Sequence, residues 1–497
     1  MKKYILKNYK LLDDFQFDLN KINVIIGENS SGKSSLLRSF QLLKQTSNSS
    51  YGSLILNSKK GLDFGNYSTL MTNSSNHCIS FGIEFQDSLK SYGNILIKKV
   101  MWTYCDKKIS DIEIYLKNNR KEKTLSIKLD KDNRVLSIKI GDIEINSLKN
   151  TLMKYNENLF PNFDSEIDDL NRDFLPLRFM ACCEKDKIDT ESSDIFNFLM
   201  DNLELSLNLN LEFVIKGKKI QGEKNIEYEN YLNINFKKYE IVYMLNKFLI
   251  NINSKLNRTF NNISYTGAIR ALGERYYRIE DDSSISETIN NDISKKLFSL
   301  YKNNKLEKFN NFIHQHLNFE IEIKTLDSDE EEIFYCINIK GKDEISKNLV
   351  DVGAGYSQIL PILFACFEKD KNPEAIIIIE QPELHLHPKM QSDLIDLFLK
   401  ISNSNPELKL IIETHSNIIV DRIGKNIYKN NYDANNVNLL IFNKNDKLEI
   451  IQTKYDKEGT IEKWPARFFS AKDIEKWPPS SLKVEIPQKI RKILFSK

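Results

Sequence analysis

Hydrophobic and polar positions change their rhythm several times along this chain. Residues 1 to 26 read as short strands, YILKNY, FQFDL and INVII, and the last runs into a glycine-containing loop. SGKSSLLRSFQLLKQ then places Leu36, Leu37, Phe40 and Leu43 at helical spacing. From about 78 to 147 the period drops to two in CISFGIEF, NILIKKVMWTYC, DIEIYL, LSIKL and LSIKIGDIEI. That spacing predicts a meander of half-exposed antiparallel strands. Residues 148 to 205 are rich in Asn and Asp with helical spacing, and read as an inserted helical segment. Alternation returns at LSLNLNLEFVI and YLNINF, followed by expected helices over 238–258 and 284–317. Two further strands, FEIEIKTL and IFYCINI, flank the acidic turn DSDEEE at 327–332.

Beyond residue 351 helix and strand alternate. Helices are expected over 356–368, 388–402 and 417–424, and strands over 375–380, 408–413 and 437–442. Such alternation predicts a mostly parallel sheet covered by helices, an α/β fold. There is no internal repeat and no sustained heptad run, which argues against a long coiled-coil arm.

Length and charge narrow the class. At 497 residues the chain is long enough for two or three structural units. A hydrophobic content of 41% with 28% charged residues describes an ordinary globular protein. Lys and Arg outnumber Asp and Glu by 71 to 69, so no global field draws the protein to nucleic acid or membrane. The basic runs KNNRKEK (117–123) and KGKK (216–219) read as solvated faces. Of six cysteines the only close pair is Cys182 and Cys183, and without a CxxC a zinc ribbon is not expected. MKKYILKNYK carries no apolar leader, and no 18-residue apolar run follows. The expectation is a cytoplasmic protein with reduced thiols and no membrane partner.

Four motifs carry chemistry. GENSSGKS, Gly27 to Ser34, satisfies G-x-x-x-x-G-K-[ST] between an expected buried strand and an expected helix. The backbone N–H groups of Gly27, Asn29, Ser30, Ser31, Gly32, Lys33, Ser34 and Ser35 can cradle phosphates at the helix N-terminus. Lys33 reaches the β and γ phosphates, and Ser34 can ligate magnesium, so ATP and Mg2+ are the expected ligands. DVGAGYSQILP offers Gly353, Gly355, Ser357 and Gln358 as small or polar groups at a helix start. IIIIEQPELHLHP ends a buried strand on Glu380, with Pro388 opening the next helix. LIIETHSN ends a neighbouring strand on polar residues that include His415. The pairs His385/His387 and His314/His316 read as structural loop and helix-flanking residues ahead of metal ligands.

In this order the motifs Gly27–Ser34, Gly353–Gln358, Glu380–Pro388 and Glu413–Ser416 resemble the ABC-type heads of the RecF, SMC and OLD ATPase group. EQPELHLHP, ETHS and GAGYSQILPI are especially similar to AAA/OLD-type ATPases of bacterial anti-phage islands, as are SYTGAIRALGERYY (264–277) and EKWPARFFS (462–470). The resemblance implies a P-loop NTPase fold: an ABC-type ATPase head with an antiparallel β meander and an inserted helical subdomain. The expected parts are a first part of the head over 1–147, a helical and β insert over 148–260, and a second part of the head over 261–455. A tail over 456–497 would pack on the head or dock a partner, with Trp464, Phe468 and Phe469 packing the last strands.

The resemblance further implies two heads closing around ATP, each P-loop capped by Gly355 and Ser357 of the other copy. Glu380 would support magnesium with Ser34, His415 would contact the γ-phosphate, and Arg270 would reach the nucleotide, the dimer interface or a surface ion pair. Two features depart from the group. Gln381 stands where a catalytic glutamate is expected, and a neutral amide cannot take the water's proton as a carboxylate can. Glu383 is the nearest replacement base, and slow hydrolysis is the expectation. No TOPRIM nuclease is expected either, because NVNLLIFNKNDKLEII lacks a glutamate at the first strand's end and a D-x-D. The leading expectation is therefore a homodimeric or larger ATPase that acts as sensor in an anti-phage system and controls a separate effector, a nuclease. A RecF-like clamp on double-stranded DNA and a non-hydrolysing ATP-gated scaffold are the alternatives.

Overall fold

The computed structural model describes residues 1–47, 53–58, 61–72, 77–90, 95–117, 122–141, 143–145, 149–155, 159–163, 245–278, 293–326, 334–341, 344–372, 374–444 and 448–462. Outside these lie most of the expected insert, the strands LSLNLNLEFVI and YLNINF, the DSDEEE turn, KGKK, Cys182, Cys183 and the Trp464–Phe469 element. In chain order the elements begin with β1 (Lys3–Tyr9), β2 (Leu12–Asp18), β3 (Ile22–Gly27) and α1 (Lys33–Ser47). There follow β4 (Cys78–Lys90), β5 (Leu96–Cys105), β6 (Lys108–Lys117), β7 (Glu122–Leu129), β8 (Val135–Ile140), β9 (Ile143–Glu144), β10 (Met153–Lys154) and β11 (Asn162–Phe163). After a helix α2 over 245–261 come β12 (Ile263–Thr266), β13 (Tyr277–Arg278), α3 (Ile293–Lys302), α4 (Leu306–His314), β14 (Glu320–Leu326), β15 (Phe334–Lys340) and β16 (Ser346–Asn348). The last part holds α5 (Ala354–Lys369), β17 (Ile376–Glu380), α6 (Pro388–Ser404), β18 (Lys409–Glu413), α7 (Asn417–Tyr428), β19 (Val437–Lys444) and β20 (Leu448–Thr453).

The chain forms two compact units. The first draws on Met1–Gln16, Leu43–Ile55 and Asn66–Phe260. Its main sheet has eight strands in the order β2-β1-β4-β5-β6-β7-β8-β9, so β4 to β9 form the meander that the period-two sequence predicts. Buried Phe81, Trp102 and Tyr104 line one face of the β4–β5 pair, with Phe81 6.0 Å from each of the other two rings. Cys78 and Cys105 stand directly opposite each other across this pair, with Cα atoms 4.3 Å apart, and are joined as a disulfide. This corrects the expectation of reduced thiols. The two cysteines are 27 residues apart in sequence, and only the hairpin register makes them neighbours.

The second unit draws on Phe17–Leu42, Leu56–Gly65 and the chain from Asn261 onward. Its six-stranded sheet runs β12-β17-β18-β3-β19-β20, parallel through β19 and closed by an antiparallel hairpin. INVIIG, IIIIE and KLIIE are buried at every position, as strands covered by helices on both faces must be. Leu360, Leu363, Leu394, Phe398 and Ile423 from the covering helices meet Ile22, Val24, Ile377 and Ile412 in one apolar core. A separate antiparallel sheet of β13, β15, β14 and β16 lies in the same unit. The helix expected over 284–317 is two helices, because Asn304 adopts a left-handed conformation at φ 54° that ends α3 and redirects the chain into α4. With these elements the fold is α/β, a mostly parallel sheet accompanied by an antiparallel meander.

Candidate nucleotide site

Strand order fixes the site. β3, β18 and β17 are adjacent and parallel, so their carboxyl ends emerge side by side, where an open α/β sheet presents ligands. Glu380 pairs with Glu413, and Glu413 pairs with Ile25 two residues before Gly27.

β3 gives way to the loop through Gly27, Glu28, Asn29, Ser30, Ser31 and Gly32 before α1 begins at Lys33. Ser30 at φ 59° and Gly32 at φ 102° take positive φ and turn the loop around. Gly27 is required by space: a Cβ there would lie 2.5 Å from the carbonyl oxygen of Phe442 on β19. Lys33 is buried, and its Nζ donates to the carbonyls of Gly27 and Glu28 at 3.0 and 2.7 Å. Burial lowers its pKa, against the pull of Glu413 and Glu28. Asn29 and Ser30 are exposed, Ser34 and Ser35 half-buried, and Ser31 fully buried.

Ser34 Oγ donates to both carboxylate oxygens of Glu413, at 3.1 and 3.3 Å, and Lys33 Nζ lies 3.8 Å from the same group. The sequence places Glu413 at the head of the Glu413–Ser416 motif but assigns it no role. The available signal was the end of KLIIE, where a buried strand stops on an acid just as IIIIE does. Burial first, and then Glu380, push the Glu413 carboxyl up to about 7.

Glu380 has partners on the β12 side and on α1. Its Oε1 accepts from the Tyr265 hydroxyl at 2.5 Å, its Oε2 accepts from Ala268 N at 3.3 Å, and Arg38 Nε stands 4.0 Å away. Arg270 is buried and donates through Nη2 to the carbonyls of Glu380 and Gln381 at 2.5 and 3.4 Å. A surface ion pair for Arg270 is thereby corrected. Burial pulls its pKa down to about 10, opposed by Glu383 and Glu380. Gln381 itself takes φ 44°, turning the chain off the strand. Glu383 Oε1 accepts from the backbone N–H of His415 at 2.7 Å, and its Oε2 is buried. Burial raises the Glu383 pKa. His415 is an exposed residue, and partial desolvation and then the charge of Lys33 lower its pKa.

The structure thus gathers the P-loop, Glu380, Gln381, Glu383 and His415 at one sheet edge. The Gly353–Gln358 stretch serves a different set of contacts. Gly353, at φ 93°, is exposed at the start of α5, and Gly355 packs so closely that a Cβ would come 3.0 Å from His385 O. Ser357 and Gln358 are buried: Ser357 Oγ accepts from Gly273 N at 3.1 Å, and Gln358 Nε2 donates to Arg270 O at 3.2 Å. His387 caps α6, its Nδ1 accepting from Lys389 N at 3.3 Å, and His385 adopts φ 60° in the preceding turn.

The donor set suits magnesium with a nucleotide. Ser34 and Glu413 supply hard oxygens, and magnesium in such sites takes one or two carboxylates plus phosphate rather than an all-protein cage. Among the described residues no group of three or more His, Cys, Asp or Glu forms such a cage. No helix among them is long and apolar enough to cross a membrane.

Comparison with known proteins agrees with this geometry. The family described as AAA ATPase domain matches residues 1–420. The "Retron Vc95 probable ATPase" of Vibrio cholerae serotype O1 biovar El Tor is 27% identical over 161 residues, which span 29% of this chain and 30% of that protein. Among solved structures, an Smc head domain from Pyrococcus furiosus aligns with 91% of this chain and 96% of its own, at 13% identity and a TM-score of 0.33. The SMC head domain from Thermotoga maritima aligns with 90% and 97%, at 10% identity and a TM-score of 0.34. At such scores the alignments carry no structural argument.

Proposed function

The chain belongs to the AAA ATPase domain family, and from that premise we propose that it binds ATP with magnesium at Gly27–Ser35 and hydrolyses it slowly. The observation that carries this reading is the Glu383 carboxylate: Oε1 is fixed by His415 N, and Oε2 is buried two residues from the neutral Gln381. Glu383 is then the base that takes the proton from the attacking water, and Gln381 orients that water through its amide. Lys33 supplies positive charge to the β and γ phosphates, and loop N–H groups hold them. Ser34 would help to hold magnesium, which would supply positive charge against the charge that develops on the phosphates. His415, exposed at the end of β18, contacts the γ-phosphate.

A slow hydrolase keeps its ATP-bound state for long periods, which suits a sensor. We assign the protein the role of regulatory subunit in a bacterial anti-phage system. It dimerises through its ATP-bound heads and controls a separate effector, a nuclease. The local similarity to a retron ATPase and the motif resemblance to ATPases of anti-phage islands support this role.

Single-turnover hydrolysis of ATP by the purified protein tests the chemistry. Glu383→Gln is expected to lower the rate by about 10²–10⁴-fold. Equal rates for wild type and Glu383→Gln would remove Glu383 as the base. If no variant, Gln381→Glu included, hydrolyses ATP, the enzyme reading fails and an ATP-gated scaffold takes its place.

A further inference from the structure

Cys78 and Cys105 meet face to face at the end of the β4–β5 pair. We propose that this pair is a thiol–disulfide exchange site, opened by a low-molecular-weight thiol or dithiol and closed again without rearrangement of the sheet. Cys78 is the sulfur that takes the incoming thiol. The pair belongs to the first unit and the nucleotide loop to the second, so this inference stands apart from the nucleotide reading.

Access is the first argument. Both cysteines are half-buried and their neighbours His77 and Asp106 are exposed, whereas Cys336 and Cys366 are buried. A thiolate must reach a disulfide sulfur directly to attack it, so exchange is confined to bridges that solvent touches.

The second argument is that the backbone, and not the bridge alone, keeps the sulfurs together. The β4–β5 register runs unbroken from Cys78–Cys105 to Glu84–Lys99. Next to the bridge Ser80 Oγ and Thr103 Oγ1 share a hydrogen bond at 2.8 Å, and Phe81 stacks on Trp102 in the core at 6.0 Å. Residues facing each other across an antiparallel pair keep Cα atoms about 4.5–5.5 Å apart, and a disulfide spans about 4.4–6.8 Å between Cα atoms. The thiols of the reduced pair therefore remain within bonding reach.

Ser110 distinguishes the two sulfurs. Its Oγ lies 3.2 Å from Cys105 Sγ and 3.4 Å from Thr103 O, and donates to Asp111 Oδ2 at 2.7 Å. Asp111 in turn lies 4.0 Å from Lys128 Nζ. With its proton directed to Asp111, Ser110 can accept from a Cys105 S–H, and that bond is lost when the sulfur is a thiolate. Cys105 is thereby favoured as the protonated thiol, and Cys78 is left to act as nucleophile when the bridge closes.

Opening runs in two exchanges. An incoming thiolate forms a bond to Cys78 Sγ as the Cys78–Cys105 bond breaks. The bonding pair leaves on Cys105, which takes a proton from solvent and donates a hydrogen bond to Ser110. A second thiolate then attacks the incoming sulfur of the mixed disulfide, which yields the small-molecule disulfide and a Cys78 thiolate. Two thiols are oxidised as the bridge is reduced, and closure by the small-molecule disulfide reverses both steps.

The test uses the full chain, with dithiothreitol as reductant, iodoacetamide as alkylating agent, and mass spectrometry to read each cysteine separately. In buffer without denaturant, Cys78 and Cys105 should be alkylated only after dithiothreitol, Cys336 and Cys366 should stay unlabelled, and the circular dichroism spectrum should not change. Replacing dithiothreitol with glutathione disulfide should restore protection of the pair. In the reduced protein Cys78 should be alkylated roughly tenfold faster than Cys105, and Ser110→Ala should bring the two rates within about threefold of each other. A bridge that opens only in guanidinium chloride, or whose opening abolishes the folded spectrum, overturns the exchange site. Labelling of both sulfurs without dithiothreitol overturns it as well. Equal or faster alkylation of Cys105 overturns the assignment of Cys78, and a ratio unmoved by Ser110→Ala removes Ser110 as its cause.

Discussion

The Tyr265 hydroxyl donates to Glu380 Oε1 at 2.5 Å, so an edge strand holds the acidic end of the strand beside it. Tyr265 pairs with Ile378 in the parallel register of β12 and β17, which sets its ring beside the sheet's carboxyl end. Burial and the neighbouring carboxylate both raise the pKa of this tyrosine, so it remains a donor throughout the working pH range. Tyr265→Phe keeps the ring and deletes the donor, leaving the 4% exposed Glu380 short of one hydrogen bond. The expected cost is about 1–3 kcal/mol, read as a fall of roughly 2–4 °C in melting temperature per kcal/mol. A melting temperature unchanged by the substitution would show that the bond contributes nothing.

Glu413 makes stability depend on pH in an unusual direction for an acid. Its folded pKa, about 7, lies above the unfolded value of 4.5, so between those values the folded state holds a proton that the unfolded state has lost. Folding is therefore favoured most below pH 4.5 as far as this group is concerned, and that contribution is lost as pH rises through about 7. The size is on the order of 3 kcal/mol at 1.36 kcal/mol per pH unit. In metal-free buffer Glu413→Gln should flatten this fall, gaining stability over wild type at pH 8 and matching it near pH 4.5. Thermal unfolding of both proteins across that range is the measurement. Parallel curves would mean that Glu413 is ionised at neutral pH in the fold.

The sequence made the parallel sheet legible because three strands buried on both faces read as unbroken apolar runs, INVIIG, IIIIE and KLIIE. It made the phosphate loop legible because a glycine and lysine spacing between strand and helix has few other uses. It could not say which acid faces which neighbour. Glu380 and Glu413 both end buried strands, and their difference arises from Tyr265 and Ser34, which lie 115 and 379 residues away along the chain. Arg270 was misleading for a related reason, since nothing local marks an arginine whose partners are the carbonyls of Glu380 and Gln381. The Cys78–Cys105 bridge required the hairpin register, which alternation leaves free by two residues.

Gly424 and Gly459 test the packing of α7 independently of the site. A Cβ on Gly424 would lie 2.4 Å from the carbonyl oxygen of Gly459, and Gly459 itself sits at φ 73° with its own Cβ position 2.0 Å from Gly424 O. Neither obstacle is a flexible side chain, so the helix or the 456–460 turn must move. Gly424→Ala is expected to destabilise by about 1–3 kcal/mol, as overpacking does. Gly267→Ala, whose nearest atom would be 3.7 Å away, should stay within about 0.5 kcal/mol in the same denaturant titration. Equal midpoints for the two variants would contradict the close approach.

Arg270 couples the strand end to the chemistry without touching the phosphate loop. Its guanidinium donates to Glu380 O and Gln381 O, while Nε and Nη1 are buried without a partner among the described residues, and its charge lies close enough to Glu383 to oppose the upward shift of that acid. Removing the charge should do two things at once. It frees the turn that carries Gln381 and Glu383, and it pushes the Glu383 pKa further up, so less of the base is ionised at neutral pH. Arg270→Gln should therefore lower single-turnover ATP hydrolysis by roughly tenfold or more, about 1.4 kcal/mol on the barrier. Its pH–rate profile should shift toward higher pH, while the affinity for a fluorescent ATP analogue changes less than threefold. A loosened turn alone would lower the rate without moving the profile. Arg270→Lys keeps the charge but not the planar fork, and should recover the pH profile ahead of the rate.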